Sequence, residues 1–433
     1  MTDPTLAIAR RLTLAVVLIL LFAAAGCLGP TPTPPLPTPT VTPVALDPEI
    51  EVFAWGMAAG EAEALAALAG VFEHNHPGVR FVDAAAGAGA TATLIARLQA
   101  QRPPDSWQGH AGQEMAPYAD AGLLEPVDFL FEQYGWTEAL PSQLLPLIRH
   151  GGNLYAVPVG IHRTNVLWYN PRLLAQNGIA PPTTQPDFLA ALQALKAAGM
   201  EAPLALAEPW TDTHLFETLL LAALGPQAYT GLWTGATDWN ATEVAAAIAQ
   251  FAALLAFSNA DAAGLTWEQA AQRLADGQAA FLIMGDWADG YFRRQGLEPG
   301  QDYAWRPAPG TDGAFQFLAD SFVLPVGAPH RAAAVAWLTL VGSQAGQDAF
   351  NPIAGSIPAR RDADRRRYSP YQQDALSDWA TDVLVGSLTH GVVATAEWQA
   401  EITLALEQFR LANDADVLQA TLANICSHTG PCP

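Results

Sequence analysis

The chain has 433 residues, enough for two or three ordinary domains, and 51% of them are apolar, so core material is ample. Its 42 acidic residues against 20 basic ones give a formal charge of -22. With no basic stripe to offset it, that balance repels phosphate backbones and excludes nucleic acid as a partner.

Arg10 and Arg11 precede an apolar run from Leu12 to Ala25, closed by small residues, which is the pattern of an export signal. The run is short for a bilayer crossing, which takes about 20 apolar residues. Its end, Ala24-Ala25-Gly26-Cys27, resembles a bacterial lipobox; residues 1–26 are then a lipoprotein signal peptide, and Cys27 is the first mature residue and carries the lipid. From Gly29 to Val44 the chain reads GPTPTPPLPTPTVTPV, too rich in proline for helix or sheet. Residues 27–46 are therefore expected to be a lipidated cysteine and an extended polyproline II tether, holding the remainder outside the cytoplasm at the bacterial membrane.

From Glu51 the pattern alternates β and α. EVFAW reads as a strand, and Glu61 to Val79 as a helix with Leu65, Leu68 and Phe72 on one face, broken at Pro77-Gly78. VRFVDAA is the next strand and TATLIARLQAQ the next helix, stopped by Pro103-Pro104. The stretch PPDSWQGHAGQE that follows crowds Trp107, Gln108, His110, Gln113 and Glu114 at a helix-to-strand boundary, where side chains of open α/β sheets face a cleft. NLYAVPVGIHRTNVLWYN reads as two extended segments meeting near Pro158, and Thr184 to Gly199 as a capped helix with Phe188, Leu192 and Leu195 inward. WEQAAQRLADGQAAFLIMGDW gives a helix closed by Gly277 and a buried strand ending at Asp286-Trp287. FQFLADSFVLP is a further strand, and the C-terminal third is expected to be mostly helical. There is no repeat of solenoid period, and the tether is the only low-complexity segment.

Motifs of catalysis are lacking or incomplete. The alanine-glycine run at 86–90 lacks the GKS/T ending of a phosphate loop, no G-x-S-x-G elbow occurs, and His74-x-His76 stands at a helix end without further metal ligands. Cys426 and Cys432 are the cysteines left besides Cys27; an exported, oxidising setting makes a small disulfide loop their expected state, and two cysteines cannot close a structural zinc site. Tryptophan is more informative. Of 13 indoles, Trp55, Trp107, Trp210, Trp267 and Trp287 stand beside polar residues at predicted element ends. A sugar lays its C–H faces on indoles, and its hydroxyls need donors and acceptors from planar Asp, Glu, Gln and His side chains.

These stretches, with WTDTHLFETLLLAALGP, LTWEQAAQRLADGQAAFLIMGDWADGYF, DSFVLPVGAPH, VGSQAGQDAFNPIAGSIPAR and LTHGV, resemble the family 1 extracellular solute-binding proteins of ABC importers. The resemblance runs from about Glu51 to Leu422 and is nearest to sugar-binding lipoproteins of the glucose/mannose type. It implies an α/β, two-lobe periplasmic-binding-protein-like fold of type II with the ligand in the inter-lobe cleft. One lobe would hold 47–157 plus 323–358, the other 158–322 plus 359–433. It further implies sugar contacts at Trp55, Glu61, Gln108, His110, Trp267, Trp287, Asp320 and His390, with Trp107 packing behind them. No cofactor or metal is implied. Two positions depart from close relatives: Gly56 where a second tryptophan is usual, and Ala354 where N-P-x-K-G-S-I-P has lysine. The expected role is a monomeric receptor that closes on a monosaccharide of glucose, mannose or galactose type and delivers it to ABC permease subunits. A disaccharide, oligosaccharide or polyol is the alternative ligand. A lipid-anchored glycosidase using Glu61, Asp286 and Asp320 is the enzymatic alternative.

Overall fold

The computed structural model describes residues 46–54, 60–84 and 90–430. The expected signal peptide and proline-rich tether, with Cys27, Trp55, Gly56 and Cys432, lie outside the described residues.

Strands β1 (Glu49–Phe53), β2 (Arg80–Asp83) and β3 (Ser106–His110) are parallel. Parallel neighbours need crossovers, and the helices Glu61–Asn75 and Ala90–Gln99 supply them. The first of these buries Leu65, Leu68 and Phe72, the face read from the sequence. A small hairpin of β4 (Arg149–His150) and β5 (Asn153–Leu154) leads into β6 (Ala156–Arg163), all eight residues of which are buried. After a turn at Thr164 and Asn165, β7 (Val166–Tyr169) forms a separate antiparallel sheet with β8 (Phe281–Met284) and β9 (Ala304–Pro307). The ten buried residues of β10 (Ala314–Val323) then run antiparallel between β3 and β6. Two short strands complete this larger sheet: β11 (Ile357–Pro358) beside β6, and β12 (Val383–Gly386) parallel to the first half of β10.

One reading of the chain is corrected. The extended segments do not meet at Pro158, because β6 runs through it. Asp320 pairs with Gly160 and Ser321 with Pro158, leaving Val159 as the extra residue of a β-bulge, one of the few places in a sheet that tolerate proline. The carbonyls that leave the ladder there are satisfied: Gln347 Nε2 donates to Pro158 O at 3.0 Å and Asn351 Nδ2 to Val159 O at 2.9 Å. After β10 the chain is mostly helical, as expected; β12 also joins the sheet there, and with four residues and one buried side chain it is too short to show a period.

The helix Gln185–Ala197 starts where Thr184 accepts from Asp187 N, and it buries Phe188, Leu192 and Leu195 as expected. Together with the helices Trp210–Thr234, Thr242–Leu255, Ala396–Ala412 and Ala415–Thr429 it forms an apolar core around Phe216, Phe251, Trp233, Trp239 and Trp398. A second core lies along β1, β3, β6 and β10. Cys426, buried in the last helix, is disulfide-bonded.

Candidate functional site

Strand pairing builds a polar floor. Directly paired residues of antiparallel strands share a face, as do residues two apart. Leu318 pairs with His162 on β6, and Asp320 pairs with His110 on β3, so these four side chains emerge on the same side of the sheet.

The floor is a line of alternating charges. Glu114 Oε2 lies 2.7 Å from His110 Nδ1, and Asp320 Oδ1 lies 3.6 Å from His110 Nε2. On the other side His162 donates from Nε2 to Asp320 Oδ2 at 3.2 Å and from Nδ1 to Asp286 Oδ1 at 2.5 Å. Arg163 N donates to the remaining Asp286 oxygen at 2.9 Å. Burial works against charge on both imidazoles, but the carboxylates outweigh it: Glu114 and Asp320 lift His110 to about 9, and Asp286 and Asp320 hold His162 well above its ordinary value. Burial likewise opposes ionisation of Asp320, yet His162, His110 and the Gln108 side chain hold it below the usual carboxylate range. Such a row is rigid, since each imidazole bridges two carboxylates.

Three indoles stand over it. Trp210 and Trp267 begin helices and share an anchor: Glu208 Oε1 accepts from Trp210 Nε1 at 2.8 Å and from Trp267 N at 3.3 Å. Trp287 starts the helix Trp287–Arg294, with its ring folded over Gly285, where a Cβ would lie 2.2 Å from the indole. Its ring centroid is 6.4 Å from that of Trp267 and 6.3 Å from that of Trp210.

His390 arrives from the loop after β12, with its ring centroid 5.1 Å from Trp287. Burial and the neighbouring imidazoles of His214, His110 and His162 hold it well below its ordinary value, so it is neutral. Buried Glu217 fixes this loop: it accepts from Ser387 Oγ at 2.8 Å, Leu388 N at 2.5 Å and Thr389 N at 3.2 Å. The same loop is locked to the one after β3. Glu114 N donates to Gly391 O at 2.9 Å and Gln113 N to Val392 O at 3.3 Å. Contact is close because Gly112 has φ 125°, and a Cβ there would meet Val392 O at 2.5 Å.

Together these groups line a cavity of about 130 Å³, bounded by Glu61, His110, His162, Trp210, Trp267, Trp287, Leu318, Asp320 and His390. Most of the expected contact residues thus meet in one place. Gln108 is the exception among the described residues: it is buried, hydrogen-bonds Asp320 and acts on the cavity through that carboxylate. Trp107 packs behind, edge-on to Tyr118. Ala354 is buried at the end of the helix Gln344–Ala354 and does not line the cavity. His162 and Leu318 were not expected there, and Trp210, one of the indoles marked beside polar residues, is not among the contacts that the resemblance implies. His162 had a signal, because a histidine inside an apolar strand needs buried partners. Among the described residues no group of His, Cys, Asp and Glu is arranged to hold a metal ion, and His76 instead packs on Phe72.

The family described as bacterial extracellular solute-binding protein matches residues 57–348, about two thirds of the chain. This chain belongs to that family. An uncharacterised ABC transporter extracellular-binding protein of Pyrococcus horikoshii is 33% identical over 390 residues, 87% of each chain. A xylose/arabinose-binding protein of Haloferax volcanii is 29% identical over 393 residues, covering 87% of this chain and 85% of that one. Among solved structures, a bacterial solute receptor with preference for β-D-galactopyranose superposes with a TM-score of 0.78 at 20% identity, over 88% of this chain and 98% of its own. The fold is accordingly the α/β, two-lobe fold of periplasmic binding proteins. Members of the family are receptors and not enzymes, which removes the glycosidase alternative.

Proposed function

We propose that the chain is the sugar-binding receptor of an ABC importer, and that its ligand is a monosaccharide of glucose, mannose or galactose type. The observation that carries this reading is the cavity itself, where three indoles face a row of hydrogen-bonding groups already oriented by one another. Its volume of about 130 Å³ lies below the usual range for pockets that take drug-sized ligands, which favours one ring over a chain of them. Related proteins named as sugar-binding periplasmic proteins in Brucella melitensis and as a glucose-binding protein in Saccharolobus solfataricus support the ligand class.

In this reading Glu61, His110, Trp267, Trp287, Asp320 and His390 contact the sugar, with His162 and Trp210 beside them and Gln108 behind Asp320; Trp55, outside the described residues, is a further proposed contact. One lobe holds 47–157 plus 323–358 and the other 158–322 plus 359–433. The open form captures the sugar, closure brings both lobes onto it, and the loaded monomer docks on the permease. The lipid on Cys27 and the proline-rich tether keep the receptor outside the cytoplasm at the membrane.

Calorimetric titration with glucose, mannose, galactose, xylose, maltose and trehalose tests the proposal, after unfolding and refolding to remove carried-over ligand. Tight one-to-one binding of a monosaccharide, lost in Asp320→Ala, is the expected result. Binding of a disaccharide alone would overturn the monosaccharide assignment.

A further inference from the structure

Glu61 is the one cavity-lining carboxylate without a hydrogen bond or ion pair among the described residues. Its neighbour Glu63 is engaged, accepting from Gly60 N at 2.8 Å and pairing with Arg294 at 2.5 Å. Glu61 begins the helix Glu61–Asn75 and faces the cavity alongside Asp320.

The surroundings supply no cation for it. In the floor, the carboxylates of Glu114, Asp320 and Asp286 outnumber the two imidazoliums, leaving one negative charge in excess before Glu61 is counted. No lysine or arginine lines the cavity, and the segment WGMAA at 55–59 contains no charged residue. Glu268 adds a further negative charge within electrostatic reach. Burial and Asp320 push the Glu61 carboxyl up to about 7, with His162 and His110 opposing them only in part.

Resting on the reading that this cavity takes a sugar, we propose that the sugar carries a protonated amino group, received by Glu61 as its ion-pair partner among the indoles of Trp267 and Trp287. An ammonium brings three donors and no acceptor, which suits a carboxylate lacking a partner. It also restores the charge balance and gains from the electron-rich faces of the tryptophans. A neutral hexose would bury Glu61 further without a countercharge and drive it to take up a proton. A uronate or a sugar phosphate would add to the excess negative charge and be rejected. The preferred ligand class is therefore a 2-amino-2-deoxyhexose or another monosaccharide-sized amine with several hydroxyls.

The test is calorimetric titration of the full chain at pH 6.5, stripped of ligand by unfolding and refolding. D-glucosamine, D-galactosamine and D-mannosamine are compared with glucose, galactose and mannose. At least one amino sugar should bind about tenfold or more tightly than its hydroxyl parent, the size of one charge-assisted hydrogen bond, and Glu61→Gln should bring that ratio towards one. Repeating the wild-type titration in buffers of different ionisation enthalpy needs no variant: the amino sugar should release protons from Glu61, whereas a neutral sugar would take them up. A parent hexose that binds as tightly as its amino counterpart, or proton uptake with the amino sugar, overturns the proposal and leaves the sugar-receptor reading standing. If neither series binds, the monosaccharide reading falls and the proposal with it.

Discussion

Replacing Glu217 by alanine should damage a cavity that Glu217 does not line. Its carboxylate accepts from the backbone N–H groups of Leu388 and Thr389 and from Ser387 Oγ, holding the loop that delivers His390. Alanine strands the two N–H groups, and a buried donor without a partner costs about 1–3 kcal/mol, so the loss should be about 2–6 kcal/mol. Glutamine can turn its oxygen to the two N–H groups and its amide to Ser387 Oγ, and should cost about 1 kcal/mol. Urea denaturation measures both, and calorimetry should show sugar affinity falling with alanine and recovering with glutamine. A pH profile adds a signature. Burial raises Glu217 from its ordinary 4.5 to about 7 against the donors around it. The folded protein therefore binds more protons than the unfolded one between those values; the contribution is full below 4.5 and lost as pH climbs through 7, at most about 3 kcal/mol. Glu217→Gln should flatten that part of the stability profile, with a slope of the same sign remaining from Glu61, which is also raised to about 7. Equal stability and affinity for the alanine and glutamine variants would refute this account of the loop.

Gly285→Ala puts a Cβ 2.2 Å from the Trp287 ring, so the indole must move into the cavity; sugar affinity should drop and stability fall by about 1–3 kcal/mol, read by calorimetry and thermal melting. Asp286→Asn removes one of the two carboxylates that hold the His162 proton; NMR titration should find the imidazole at lower pH, with about 3–5 kcal/mol of stability lost near neutrality, and an unmoved His162 would contradict the charge row. Glu208→Ala frees Trp210 Nε1 and Trp267 N together; sugar affinity should weaken about tenfold or more through two loosened indoles, while retention of wild-type binding would show that packing alone orients them.

Much of this architecture can be read from the chain because its elements are long and conventionally bounded. The helix Gln185–Ala197 carries Thr184 at its start and Phe188, Leu192 and Leu195 at helical spacing, so composition, cap and period agree. Agreement fails where tertiary pairing decides. Pro158 looks like a break until the bulge at Val159, and the side chains of Gln347 and Asn351 that satisfy it, are seen. The site divides in the same way. Trp267, Trp287 and Asp320 sit in motifs whose resemblance to known receptors marks them, whereas His162 lies in a strand whose neighbours are all buried, and only the register with β10 brings it against Asp320. Gln108 illustrates the converse: its motif marks it, but its partner is Asp320 and not the open cavity.

The clasp between residues 112–114 and 391–392 constrains how the gene can change. Its halves lie far apart in the sequence, yet Gly112 and Val392 meet with no room for a side chain. A crossover between two diverged relatives at almost any point in the intervening sequence would unite a first half from one parent with a second half from the other. Such a chimera would fit only where both parents keep the same loop lengths and the same glycines. Cassette exchange that carries both segments from one parent avoids that conflict, and is the safer route to new sugar specificities on this frame.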